Sequence, residues 1–229
     1  MPLLELKLFK SIPKDLLMDA NNSINIVNMS FLSIDCSTDT SSLFIKTKSK
    51  TFIKVLQSDK FNNDLLMREI VVFFIKNKIK FNDISKIFVN QGPGNFSGIR
   101  GSLAVAKGIS IAKSINLFGY DTFLWSCAEY LNKRDLIYSI INLRKKYFIK
   151  KFDINLNSNM KAKEILIEDI VENYDSELKV IPKNMAKFFD KKVLNLNNLK
   201  IVDLDHKALE FLELKGLLDT KLIKPIYLS

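Results

Sequence analysis

Short apolar runs separated by polar turns occupy most of the first half of the chain. Three runs follow one another closely and predict an antiparallel meander, because the segments between them are too short and too polar for a helical crossover. A fourth apolar run leads into a glycine-rich turn, and longer helical patterns lie on either side of it. Alternating strands and helices predict an α/β fold. The predicted strands are 31–38, 41–46, 51–56 and 84–89, and the predicted helices are 62–77 and 98–114.

The second half of the chain has weaker patterns. It predicts a short helix over 122–131 and a hairpin of 136–141 with 146–152 that turns at 142–144. A further strand over 178–181 and a closing helix over 208–218 complete the pattern.

The turn after the fourth strand concentrates the special backbone chemistry of the chain. The chain has seven glycines, and Gly92, Gly94, Gly98 and Gly101 all lie here. Ser97 is the predicted N-cap of the helix that follows. A strand, a glycine turn and a helix N-terminus together present N–H groups to an anion. The plainer interpretation is a tight connection between two packed elements.

General phosphate-binding fingerprints fit this turn poorly. A Walker A loop requires a lysine after its last glycine, and Ile99 follows Gly98. The spacing from Gly92 to Gly98 is one residue away from the dinucleotide fingerprint, and Asp121 follows the next apolar run. A small dinucleotide-binding oxidoreductase, with Asp121 as the ribose acid, is therefore an alternative.

Composition limits the remaining possibilities. The chain of 229 residues is 47% hydrophobic, which is enough for one sizeable domain or two lobes. Its formal charge of +10 suits an RNA-handling protein, and a stand-alone tRNA-binding protein is a third hypothesis. The composition bias of an AT-rich genome is the better explanation of the charge. Cys36 and Cys127 have no metal-binding spacing, and no apolar run is long enough for a membrane helix. We expect a cytoplasmic protein.

A single histidine excludes several enzyme classes. His206 is predicted to be a solvated residue at a helix start. One histidine cannot supply an H-x-x-x-H metal site, and there is no G-x-S-x-G nucleophile elbow for a Ser-His-Asp triad.

The segment Gly92-Pro93-Gly94-Asn95-Phe96-Ser97-Gly98-Ile99-Arg100 resembles the G-P-G-S-F-T-G-[LI]-R signature of the bacterial TsaB (YeaZ) family. It differs only at Asn95 and Ser97. The ending Pro225-Ile226-Tyr227-Leu228 resembles the family's P-x-Y-L. The sequence departs from the family pattern in three respects. No histidine precedes the first helix, only Arg144 matches the family's D-A-R turn, and 182–185 lack a glycine-rich phosphate turn.

The resemblance implies an α/β ribonuclease-H-like fold of the actin-like ATPase (ASKHA) type with a reduced second lobe. It implies a Gcp-like first lobe over 29–133 and a second lobe over 134–229, with 1–28 as an extension of unknown role. In such folds an acid and hydroxyls at the end of the first strand hold nucleotide phosphates together with a glycine turn. The resulting candidate nucleotide or anion cradle is Asp35, Ser37, Thr38, Gly92, Gly94, Ser97 and Gly98.

The resemblance also implies a role without catalysis of its own. The family supports a TsaD-like transferase that forms threonylcarbamoyladenosine beside the anticodon of tRNA, with a TsaE-like ATPase as a further partner and a homodimer as another assembly. We expect tRNA contact through the complex, no catalytic residues, no metal site and no intrinsic cofactor, with ATP or ADP and Mg²⁺ acting at the complex. The expected partner interface is Leu66, Ile70, Phe73, Gly101, Ala104, Gly108 and Ala112, since small residues at i, i+4 and i+8 let another helix approach closely.

Overall fold

The computed structural model describes residues 30–38, 40–56, 65–153, 161–174 and 176–228. The extension 1–28 and the segment before the first helix, 57–64, lie outside these residues. Two five-stranded sheets organise the described chain, each in one lobe.

The first sheet is mixed, with strand order β3-β2-β1-β4-β5. Strand β2 runs antiparallel to β1 and β3, while β4 runs parallel to β1 and β5. This order, with an antiparallel meander followed by parallel strands, is that of a ribonuclease-H-like fold, as the sequence predicted. The strands are Phe31–Asp35 (β1), Ser41–Lys46 (β2), Thr51–Leu56 (β3), Lys86–Asn90 (β4) and Asn116–Tyr120 (β5).

Two helices cover one face of the first sheet. They are Leu66–Lys76 (α1) and Phe96–Lys113 (α2), the second of which is the crossover between the parallel strands β4 and β5. Buried apolar side chains of both helices pack with Leu32 and Ile34 of β1 into one core cluster.

The second sheet repeats the topology of the first. Its order is β10-β9-β6-β7-β8, so β6 takes the central place that β1 has in the first sheet. The second lobe is thus reduced in its helices rather than in its sheet. The strands are Leu136–Leu143 (β6), Lys146–Asp153 (β7), Lys163–Ile165 (β8), Lys179–Pro182 (β9) and Leu199–Val202 (β10). The helices after α2 are Thr122–Cys127 (α3), Ile167–Asn173 (α4), Lys183–Ala186 (α5), Lys191–Leu194 (α6) and Ala208–Leu214 (α7).

The pairing of β6 and β7 confirms the predicted hairpin, but its turn lies at 144–145 rather than at 142–144. The two strands pair from Leu136↔Asp153 to Leu143↔Lys146. Arg144 and Lys145 form the two-residue turn with φ of 53° and 66°, the backbone that a tight hairpin with right-handed twist requires.

The other face of the first sheet packs against the second lobe. Phe31, Phe44 and Phe88 of the first sheet belong to the same core cluster as the inner residues of the second sheet. The rings of Phe31 and Phe88 meet edge to face at 4.8 Å between centroids. Burial of these rings joins the two lobes into one hydrophobic unit, because each ring removes a large apolar area from water.

Helix α7 is held on the first sheet by ion pairs. Lys46 Nζ lies 2.5 Å from Glu210 Oε1, and Lys86 pairs with Glu213. Both glutamates belong to the second lobe and both lysines to the first sheet, so these pairs align the lobes.

His206 lies in the same interface, and the expectation of a solvated residue was wrong. Its Nδ1 is 2.8 Å from Ser33 Oγ and its Nε2 is 2.9 Å from Ser42 Oγ. The ring stacks on Phe44 at 5.3 Å between centroids. Burial lowers the pKa of His206 from 6.5 to about 3, so the folded protein keeps the imidazole neutral.

This burial predicts a pH dependence of stability. The folded-state pKa of His206 is depressed, so below pH 6.5 the unfolded chain takes up a proton that the folded chain does not. The free energy of unfolding should therefore fall as the pH drops from 6.5 towards 3. Between about pH 7.5 and about pH 5 the His206 contribution is about 2 kcal/mol.

We expect His206→Gln to lack this contribution. The free energy of unfolding of the parent protein, measured with urea, should therefore exceed that of the variant by less at about pH 5 than at about pH 7.5. Asp35 and Glu210, whose pKa values burial raises, are present in both proteins and cancel in the difference. A difference that stays constant across this range would contradict the assignment.

Candidate functional site

The glycine turn between β4 and α2 is fixed by a side-chain cap. Asn95 is the N-cap residue, and its Oδ1 accepts a hydrogen bond from Gly98 N at 3.1 Å. The prediction of Ser97 as N-cap was wrong, because the helix begins at Phe96 and Ser97 lies within its first turn. Ser97 Oγ donates to the same Asn95 Oδ1 at 2.9 Å. The two positions at which the signature is altered thus bond to each other.

The end of strand β1 forms a closed polar cluster. Asp35 is 2% exposed, and its Oδ1 accepts from Ser37 N at 2.9 Å and from Ser37 Oγ at 2.6 Å. Asn90 Nδ2 donates to Ser37 Oγ at 2.9 Å. Burial raises the pKa of Asp35, and the hydrogen bonds from Ser37 and Asn90 oppose that rise. The carboxyl group therefore already has protein partners.

Two glycines let the turn approach this strand end. A Cβ atom on Gly94 would lie 1.9 Å from Ser37 O, and one on Gly98 would lie 1.9 Å from Cys36 O. No side chain fits at either position, because real contacts are far longer. These glycines are required by packing between the turn and β1.

The predicted cradle residues are brought together, and several N–H groups of the turn are bonded to protein. Gly92 N donates to Asn90 Oδ1 at 2.8 Å, and Asn95 N donates to Ser37 O at 2.6 Å. Thr38 Oγ1 donates to Thr40 O and accepts a hydrogen bond from Asn184 Nδ2 of the second lobe. These contacts agree with the plainer interpretation of a tight connection, and the nucleotide or anion cradle stays a prediction.

The acid of the dinucleotide alternative is also engaged. Asp121 is the N-cap of α3, with Oδ1 accepting from Leu124 N at 2.6 Å. Its Oδ2 lies 2.8 Å from Lys150 Nζ. With both carboxylate oxygens bonded and the glycine turn packed on β1, the dinucleotide alternative has no binding site left in this region.

The predicted partner interface is only partly accessible. Leu66, Ile70 and Phe73 of α1 are buried against the first sheet, at 0%, 0% and 4% exposure. The prediction placed the partner on the wrong face of α1, because the run 70–75 is apolar on both faces and does not show which one packs inward. The exposed apolar side chains of this helix are those of Met67, Val72 and Ile75, which the sequence reasoning missed.

The small-residue stripe of α2 does face solvent. Ala104, Gly108 and Ala112 are exposed, and Gly101 is half-buried. A Cβ atom on Gly108 would meet no other atom within 4 Å. Beside the stripe lies an open apolar groove of about 260 Å³ between α1 and α2, which we call the α1–α2 groove. Met67, Phe81, Val105, Gly108, Ile109, Ala112 and Lys113 line it.

Comparison with known proteins agrees with this fold. The family model for TsaD, tRNA N6-adenosine threonylcarbamoyltransferase, matches residues 59–131. A tRNA threonylcarbamoyladenosine biosynthesis protein TsaB from Buchnera aphidicola of Schizaphis graminum is 24% identical over 197 residues, which is 75% of this chain and 90% of the relative. A second TsaB, from Buchnera aphidicola of Baizongia pistaciae, is 34% identical over 73 residues, and this match spans 33% of that protein.

The solved structure of YeaZ from Pseudomonas aeruginosa has the same fold. It superposes with a TM-score of 0.64 at 14% identity and covers 87% of this chain and 100% of YeaZ. The chain is therefore similar to TsaB/YeaZ proteins in both sequence and fold. The expected recognition from the glycine turn is thereby confirmed, although the residues of that turn are used for packing.

The two sequence motifs of the TsaB/YeaZ resemblance meet in space. Phe96 of the signature stacks on Tyr227 of the P-x-Y-L ending at 5.2 Å between ring centroids. Ile226 N donates to Gln91 O at 2.8 Å, which fixes the ending beside the turn. The two motifs are far apart in the sequence, and no pattern in the sequence predicts that they are in contact.

The described residues also bear on metal binding and on membrane-spanning helices. In these parts of the chain, no group of three or more His, Cys, Asp or Glu side chains is placed to hold a metal ion. Among the described helices, none combines the length and apolar character needed to cross a bilayer.

The two glycines of α2 provide a matched test of the packing argument. Gly98→Ala should destabilise the protein by about 3 kcal/mol, because its Cβ meets Cys36 O. Gly108→Ala, the same substitution in an open position of the same helix, should stabilise it by about 0.5–1 kcal/mol. Urea unfolding of both variants measures the two changes. Equal effects would contradict a packing role for Gly98.

Proposed function

We propose that this chain is a non-catalytic subunit of the complex that forms threonylcarbamoyladenosine in tRNA. Its partner is a TsaD-like transferase, which carries out the transfer. The named relatives of the chain act in threonylcarbamoyladenosine biosynthesis. The proposal of a supporting role rests on the exposed α1–α2 groove and its stripe of small residues.

The groove has the properties of a helix-docking surface. The stripe leaves the backbone of α2 open to solvent at Gly108. Val72 at 44%, Ile75 at 70% and Ile111 at 83% exposure add exposed apolar area on the same two helices. A helix that packs on small residues comes close to the backbone, and apolar side chains at the rim then lose contact with water.

The reactive side chains of the chain support a role without catalysis. His206 is neutral and enclosed between the lobes. Burial raises the pKa of Cys36 to about 12, and it also raises the pKa of the buried Cys127. Asp35 is bonded to Ser37. A general base or nucleophile must reach its substrate, and these groups are covered by protein.

The proposal includes further expectations for the assembly. The chain holds no cofactor of its own, and ATP or ADP with Mg²⁺ acts at the complex together with a TsaE-like ATPase. The same groove accounts for a homodimer when the transferase is absent, because it offers one apolar face. The complex works in the cytoplasm, where the two free, buried cysteines stay reduced.

Substitution of Gly108 by leucine tests the groove directly. Gly108→Leu should abolish co-purification with the TsaD-like subunit, since its side chain fills the space that the partner helix needs. The folded monomer should remain intact because nothing lies within 4 Å of the new Cβ. Affinity pull-down and thermal melting measure the two effects.

Gly108→Ala is the matched control. Its single methyl group keeps a small residue in the stripe, so the complex should persist. Retention of the complex by the leucine variant would overturn this placement of the partner.

The non-catalytic assignment has its own experiment. The purified chain is incubated with unmodified tRNA and threonylcarbamoyl adenylate, with and without the TsaD-like subunit. We expect modified nucleoside only when that subunit is present. Turnover by the chain alone would disprove the proposed role.

A further inference from the structure

A second groove lies on the other side of α2, away from α1. It is bounded by α2, the edge strand β5 and residues 220–223, and it has a volume of about 570 Å³. We call it the tail groove. Lys107 of α2 and Lys221 of the tail line it together with the polar residues Ser110, Asn116 and Thr220. No acidic residue lines it.

Backbone hydrogen bonds fix the tail that forms one wall of this groove. Gly119 and Asp219 exchange two bonds of 2.8 Å, which join the tail to the edge of β5. Gln91 Nε2 donates to Lys224 O at 2.9 Å further along. The groove is therefore a built feature of the fold.

An exposed aromatic stack lies at the N-terminus of α2. Phe96 is 47% exposed and Tyr227 is 53% exposed, although large aromatic side chains usually bury most of their surface. The guanidinium carbon of Arg100 lies 5.0 Å from the centre of the Phe96 ring. Rings and guanidinium planes of this kind are the surfaces on which unpaired bases stack.

The stack and the groove lie on one face of α2. Phe96, Arg100 and Lys107 occupy positions i, i+4 and i+11, which are within about 40° of each other around the helix axis. The stripe at Gly108 is rotated by about 100° from Lys107. Helix α2 contains no acidic residue. Its tail-facing side therefore combines positive charge with aromatic rings, while the stripe carries neither.

Positive charge along a groove and exposed rings at the start of the same helix complement a single strand of nucleic acid. A protein partner would require acidic side chains opposite Lys107 and Lys221, but it would not need the exposed aromatic surface of Phe96 and Tyr227. We propose that the tail groove binds an unpaired segment of tRNA, with a base on the Phe96–Tyr227 stack and phosphates beside Lys107 and Lys221. This inference rests on the proposed function, which brings tRNA to the complex.

The test measures tRNA binding and turnover with the chain assembled with its TsaD-like subunit. Lys107→Glu and Lys221→Glu reverse charges in the groove, and Tyr227→Ala removes a ring. Lys191→Glu, on α6 of the second lobe, makes the same charge change at an exposed site elsewhere. Fluorescence anisotropy with labelled, unmodified tRNA gives Kd over a salt series.

We expect each lysine reversal to raise Kd about tenfold and to lower the magnitude of the salt slope, because a phosphate contact is lost. Tyr227→Ala should raise Kd about tenfold with an unchanged slope, because stacking involves no counterion release. Lys191→Glu should leave both quantities as in the parent.

Turnover separates this inference from the proposed function. The groove variants should raise KM for tRNA and leave kcat and co-purification with the TsaD-like subunit unchanged. An active parent complex whose Kd and KM are unaffected by the variants would overturn the inference alone. Loss of co-purification in the groove variants would show a protein interface there and would also overturn it. An inactive or unassembled parent complex would instead refute the proposed function.

Discussion

The central strands of the first sheet are buried on both faces, and the arrangement of the whole molecule depends on that constraint. All five residues of β1 are buried. Its alternating side chains send Leu32 and Ile34 towards the helices and Phe31 towards the second lobe. Ser33, on the same face as Phe31, needs a partner there and finds it in His206. Because an unpaired buried polar group is costly, the second lobe must supply the histidine at a fixed place.

Close packing between the glycine turn and β1 engages many polar groups of the expected nucleotide region with protein partners. The strand end at Cys36 and Ser37 sits against two glycines, and Asp35 is enclosed by its own hydrogen bonds. The chain has the strand, turn and helix of the fold. The polar side chains of Asp35, Ser37 and Asn90 are hydrogen-bonded to one another in this region. Binding surfaces are then confined to the outside, where α2 is the element with exposed small, basic and aromatic residues.

The sequence predicted much of the fold, since period-two runs and turn residues mark β1, β2, β3 and the β6–β7 hairpin. It predicted less of the site. The run 70–75 is apolar on both faces, so its buried side depends on where the sheet lies. His206 looks polar and solvated until Ser33, Ser42 and Phe44 surround it. The Phe96–Tyr227 stack joins distant segments, and such contacts are set by the tertiary fold rather than by local pattern.

Helix α2 can serve two proposed partners because its inner face is fixed. Gly98 holds its N-terminus against Cys36, and Ile99, Leu103 and Ala106 anchor its buried side. A helix anchored in this way cannot rotate, so the stripe at Gly108 and the ring of Phe96 keep a constant angle between them. A transferase on the stripe and an RNA strand in the tail groove would then be held in a defined relation. A subunit without catalytic groups can contribute to a reaction through that alignment, since correct positioning of two reactants lowers the entropic part of the barrier.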